Sequence, residues 1–176
     1  MIIAGIDPGK TGAMVTLFED GSTIIDRVPK LSGPSKGKDK AGRPKPGKVN
    51  PDWIEWGRRW RSSILFNAPD VFVIENVHGW KGQAAGASFS FGKAMGFALA
   101  TAMCIDVPIH YAPPNVWKIK LGLASLDKEA SVELARQLIP SLIPALLPVR
   151  GNPVDARAGV AEAGLLAYYG KLTIAG

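Results

Sequence analysis

Cysteine is almost absent: Cys104 is the only one in 176 residues. That excludes a disulfide framework and a cysteine-built zinc site, and makes a reducing compartment the expected setting. Cys104 lies in the apolar run 98–107, which reads as the burial of a small hydrophobe. Long apolar stretches are missing too. No run approaches the roughly 18 residues of a membrane helix, so no membrane span is expected. The opening residues, Met1 to Asp7, carry neither the basic start nor the cleavage site of a signal peptide. They read as a strand that begins at once. No internal repeat is present, and the length suits a single domain over 1–176.

Acidic residues are the minority: 15 Asp and Glu stand against 21 Lys and Arg, a formal net charge of +6. Seven of the basic residues (Lys30, Lys36, Lys38, Lys40, Arg43, Lys45 and Lys48) fall in the segment 30–48, where Asp39 is the only acid. This segment alone accounts for the excess, and the rest of the chain is neutral. A concentrated basic stretch points to a polyanion, nucleic acid first. The region 29–51 is rich in Gly, Pro, Ser and Lys, and nearly free of large apolar side chains. It cannot bury enough surface to order itself and reads as a mobile loop.

What is present is an alternation of short apolar strands and helices. Residues 2–7 end in the turn Asp7-Pro8-Gly9-Lys10-Thr11-Gly12; residues 13–18 and 22–27 flank Glu19-Asp20-Gly21 as a hairpin. The first strand is expected at the centre of this meander. A helix over 51–67, capped by Asn50 or Asp52, carries Trp53, Trp56, Trp60 and Ile64 on one stripe, which reads as core. A buried strand at 71–75 follows, then a polar loop at 76–86. A helix over 87–105 has small residues (Gly92, Ala94, Gly96, Ala98) suited to close packing on a sheet. A strand at 107–111, helices at 114–121 and 127–139, a Pro-rich connection at 140–153 and a closing helix at 156–170 complete the chain. The order implies an α/β fold: a mixed sheet with helices on both faces.

Asp7 and Glu75 each end a buried strand. If those strands are neighbours, the two carboxylates meet at the sheet edge and repel unless a cation lies between them. Oxygen donors of this kind suit Mg²⁺. Glu162 is the only charged residue between Arg157 and Lys171, and an acid is expensive to bury there unless paired or metal-bound. Asp155 precedes it by two helical turns, roughly 10 Å along the axis. It can join Glu162 only if the helix starts after it and the chain folds back.

These motifs resemble one family. Ile3-Ala4-Gly5-Ile6-Asp7-Pro8-Gly9, Val71-Phe72-Val73-Ile74-Glu75, the helix with Gly92-Lys93-Ala94-Met95-Gly96, Asn152-Pro153-Val154-Asp155 and Ala161-Glu162-Ala163 occur in the order found in the RuvC-type Holliday junction resolvases. The shorter phage and prophage members are most similar. The resemblance implies a ribonuclease H-like fold with a five-stranded sheet, a homodimer, and a crossover junction endodeoxyribonuclease using Mg²⁺ or Mn²⁺. It implies a cytoplasmic setting in a bacterial or phage-infected cell. It makes Asp7, Glu75 and Glu162 metal ligands. The family's remaining ligand, an Asp or His three residues before the last acid, falls on Gly159 here, so Asp155 is the available substitute. Two metal ions in such a site activate a water for attack on the phosphodiester and stabilise the leaving oxygen.

The resemblance also makes Lys118 and Lys128 DNA contacts near the site. It puts His78 and Trp80, with Lys81 and Gln83, on a loop entering the junction centre, where Trp80 stacks on an unpaired base. Lys36, Lys38, Lys40, Arg43 and Lys45 are expected to contact phosphates without reading sequence. His110, in a strand, reads as structural. Two other readings stay open. One is a junction-binding protein with weak or lost nuclease activity. The other, less favoured, is an actin-like ATPase or sugar kinase fragment, because residues 7–12 also fit Asp-x-Gly-x-Thr-Gly.

Overall fold

The computed structural model describes residues 1–33, 37–38, 40–43, 49–77, 82 and 84–174. In chain order the strands and helices are β1 (Ile3–Asp7), β2 (Ala13–Leu17), β3 (Thr23–Arg27), β4 (Lys30–Ser32), β5 (Val49–Pro51), α1 (Trp53–Asn67), β6 (Val71–Glu75), α2 (Ala85–Met103), β7 (Ile109–Ala112), α3 (Pro114–Lys120), α4 (Lys128–Leu138), α5 (Ile143–Leu146) and α6 (Val154–Thr173). The main sheet runs β3-β2-β1-β6-β7. β1 is central, antiparallel to β2 and parallel to β6, and β6 is parallel to β7. No helix among the described residues is long and apolar enough to cross a membrane.

Strand alternation divides the core into two layers. Ile3, Ala13, Val15, Leu17, Val71 and Val73 point to one face, with α4 and α6. Ala4, Ile6, Met14, Phe72 and Ile74 point to the other, against α1 and α2. Trp56 and Trp60 are fully buried there, with ring centroids 4.1 Å apart, and Ile64 is buried beside them; the tryptophan stripe is core. Asp52 caps α1, its side chain accepting from the Glu55 amide.

α6 lies directly on β1. A Cβ added to Gly5 would stand 2.0 Å from the carbonyl oxygen of Ala163, so only glycine lets helix and strand come this close. That approach brings the middle of α6 to the end of β1.

Four expectations need correction. The segment 29–51 is not loop throughout, since its ends, β4 and β5, pair antiparallel as a separate two-stranded sheet. Backbone pairing supplies an order that side-chain burial does not. The connection at 140–153 holds a 3₁₀ turn (Pro140–Leu142) and α5, with Leu142 and Leu146 anchored in the core. Cys104 is exposed, because it caps the C-terminus of α2 where the apolar stripe has already ended. In α2 the alanines at 94, 98 and 102 pack inward, while Gly92 and Gly96 face open space. His110 is half-buried, its ring 6.4 Å from that of Tyr169.

Candidate active site

β1 and β6 are in register from Ile3 opposite Val71 to Ile6 opposite Ile74. The next residues along, Asp7 and Glu75, therefore leave the sheet side by side at its carboxyl edge. α6 delivers Glu162 to the same place. All three line one cleft of about 470 Å³, together with Lys10, Thr11, Ser90, Phe91, Lys118 and Lys128.

Each acid is held by a different neighbour. Asp7 Oδ1 accepts from the Gly9 amide at 3.0 Å, in the turn that Pro8-Gly9 forces after β1. Glu75 is buried, and its Oε1 accepts from Trp117 Nε1 at 3.2 Å. Glu162 Oε1 accepts both from Lys118 Nζ at 3.0 Å and from Ser131 Oγ at 3.2 Å. Lys118 also lies 5.1 Å from the centre of the Trp117 ring.

The electrostatics follow from burial and crowding. Burial, then the charges of Glu75 and Glu162, push Asp7 well above the usual carboxylate range, against the pull of the Gly9 amide and Lys118. Burial and the Glu162 charge push Glu75 up to about 7, with Lys118 and Trp117 opposing. Lys118 responds in the opposite sense: burial lowers its pKa, but Glu162, Glu75 and Asp7 outweigh it and the net shift is upward. Three carboxylates that resist sharing negative charge are a donor set suited to a divalent cation. Among the described residues, no three acidic, His or Cys side chains are grouped closely enough to encircle an ion, and Glu162 is paired with Lys118.

Asp155 is placed differently. It belongs to the first turn of α6, which begins at Val154, so the condition for joining Glu162 is not met. Its side chain is 58% exposed and accepts from Lys128 Nζ at 2.6 Å. It does not line the cleft; Lys128 does. Gly159 lies one turn before Glu162, where a Cβ would fall 2.0 Å from the Thr11 carbonyl oxygen. The backbone after β1 occupies the space that a side chain at 159 needs.

Lys38, Lys40 and Arg43 are exposed, away from the acids in sequence. Lys36, Lys45, His78, Trp80, Lys81 and Gln83 lie outside the described residues.

Sequence reasoning missed Trp117, Ser131, Lys10 and Phe91. Trp117 sits next to Lys118 in the chain, and Ser131 lies about one helical turn after Lys128 on α4. Nothing in a linear sequence, however, aims a donor at a particular carboxylate.

No family model and no curated protein matches the sequence of this chain. Solved structures do match in fold. Thermus thermophilus RuvC in complex with a Holliday junction substrate aligns over 98% of this chain and 97% of its own, at 17% identity and a TM-score of 0.57. A second structure of T. thermophilus RuvC aligns over 98% and 96%, at 19% identity and a TM-score of 0.53. The five-stranded mixed sheet with helices on both faces is the ribonuclease H-like fold of RuvC, which this chain shares from end to end.

Proposed function

We propose that this protein is a divalent-metal-dependent endonuclease that cuts branched DNA, four-way junctions in particular. The observation that carries the reading is the convergence of Asp7, Glu75 and Glu162, from three separate elements, on one cleft flanked by lysines. The fold match supports it, since the T. thermophilus protein was solved with a Holliday junction.

Asp7, Glu75 and Glu162 are the residues that hold Mg²⁺, with Mn²⁺ as a substitute. The metal supplies an activated water and neutralises charge at the leaving oxygen. Lys10, Lys118 and Lys128 face the cleft and neutralise the phosphate of the strand to be cut. Trp117 and Ser131 orient Glu75 and Glu162 by hydrogen bonds. Asp155 acts at the rim by holding Lys128, not as a ligand. The basic residues of 30–48, Lys36, Lys38, Lys40, Arg43 and Lys45 among them, track the backbone of the DNA arms. His78 and Trp80 reach the unpaired bases at the branch point.

A homodimer fits this reading, because a junction offers two equivalent strands to two sites.

A second reading, a junction-binding protein with weak nuclease activity, is favoured by one observation: the Thr11 backbone excludes a fourth carboxylate at position 159. A synthetic four-way junction incubated with the protein and Mg²⁺ separates the two. Paired symmetric nicks, reduced more than about 100-fold in Asp7→Asn, support the nuclease; that is beyond the usual effect of losing a residue that merely supports a ligand. Tight binding with no nicks in Mg²⁺ or Mn²⁺ establishes the binding module.

A further inference from the structure

Lys118 is the residue of the cleft whose position is hardest to reconcile with a simple DNA contact. It lines the cleft, but its ammonium group is tied to one of the cleft's own acids. It donates to Glu162 Oε1 at 3.0 Å and lies in the combined field of Glu162, Glu75 and Asp7. The same Glu162 oxygen already accepts from Ser131, so its acceptor capacity is taken by the two donors together. Among the described residues no three acidic, His or Cys side chains are drawn together at ligating distance. Of the three acids, Glu162 is the one that Lys118 binds directly, while Glu75 and Asp7 act on it through their charge.

A divalent cation needs those oxygens at roughly 2.1 Å, and it brings twice the charge. An ion held by these carboxylates stands beside the Lys118 ammonium, which is 3.0 Å from Glu162 Oε1, and two like charges that close repel. Ser131 is anchored in the α4–α6 interface and is buried. Lys118 has a flexible four-carbon stem, is 31% exposed, and borders the cleft, so it is the partner that is free to leave.

Resting on the metal-site reading above, we propose that Lys118 is a built-in competitor of the divalent cation: its ammonium group holds Glu162 until the ion displaces it, and the freed side chain then faces the cleft as a phosphate contact. Ion entry and the arming of a DNA-binding lysine become one event. The site keeps its carboxylates neutralised without metal, and the ion must outcompete a resident charge to bind.

A strut and a competitor predict opposite signs. Mn²⁺ is titrated into metal-stripped wild-type protein, Lys118→Met and Lys118→Arg, with free Mn²⁺ followed by electron paramagnetic resonance. Removing a like charge so close to the ion should tighten binding about tenfold in Lys118→Met. Lys118→Arg, which keeps the charge, should bind like the wild type. Weaker or unchanged Mn²⁺ binding in Lys118→Met overturns the proposal. A second measurement needs no variant: acetylation of Lys118 in the wild type, read by peptide mass spectrometry against Lys171, should accelerate when Mn²⁺ is added. A rate that is unchanged or slower also overturns it.

No DNA enters either measurement. Absence of Mn²⁺ binding in the wild type removes both the metal site and the competitor. Junction nicking without tightening in Lys118→Met removes the competitor alone. Displacement of Lys118 without nicking leaves the competitor standing and removes the nuclease.

Discussion

Trp117 Nε1 donates a hydrogen bond to Glu75 Oε1 at 3.2 Å, and both residues are buried. An indole on α3 thus holds the carboxylate that ends β6, and favours its charged form. Trp117→Phe keeps the packing and removes the donor. Glu75, already up to about 7, should rise further. Mg²⁺ binding followed by calorimetry from pH 6 to 9 should show its midpoint displaced to higher pH. An unchanged midpoint means the bond does not tune Glu75.

Stability should depend on the same carboxyl. Glu75 titrates near 4.5 when unfolded and about 7 when folded. Between those values the folded state binds more protons, so stability falls as pH rises through this window and the full penalty is present above it. The size is on the order of 3 kcal/mol. Metal-stripped protein should therefore melt at a higher temperature at pH 5 than at pH 7.5, once Asp7, shifted in the same direction, is included. Glu75→Gln should raise the melting temperature at pH 7.5 and flatten the dependence. A wild-type profile that rises with pH contradicts the assignment.

Gly159 tests how tightly α6 is pressed on the turn after β1. In Gly159→Ala, a Cβ 2.0 Å from a backbone oxygen must move the helix or the turn. A loss of about 1–3 kcal/mol is expected by urea denaturation, as for other overpacked sites. Gly159→Asp should fare worse and gain no affinity for Mg²⁺. Tighter metal binding in Gly159→Asp would show that the turn yields and a fourth ligand forms.

Asp155 and Lys128 form an exposed pair at the rim. Asp155→Asn should leave Mn²⁺ affinity unchanged and lower junction cleavage less than about tenfold, below the usual loss for residues that orient a metal ligand. A loss matching that of Asp7→Asn would make Asp155 a ligand, through a rearrangement of the first turn of α6.

The basic segment should act through salt. Replacing Lys36, Lys38, Lys40, Arg43 and Lys45 with alanine should weaken binding to duplexes and junctions alike. The slope of log affinity against log salt should fall by roughly 0.9 for each phosphate that is no longer neutralised. A parallel shift with no change in slope would exclude these residues as phosphate ligands.

The sequence by itself determined a good deal. Short apolar runs bounded by turns located β1, β2 and β6 to within a residue, because strand burial is a local pattern, and the hairpin turn at Glu19-Asp20-Gly21 located β3 equally well. The same runs put Asp7 and Glu75 at strand ends. The α1 stripe declared its own core face. Only the tertiary structure decided what the acids face. Parallel pairing of β1 with β6 set the two carboxylates side by side, and the close approach at Gly5 let α6 bring in Glu162. The extra turn of α6 that holds Asp155 away, and the ties from Trp117, Ser131 and Lys118, join residues more than thirty positions apart in most cases. No local pattern encodes such ties, because each depends on how whole elements pack.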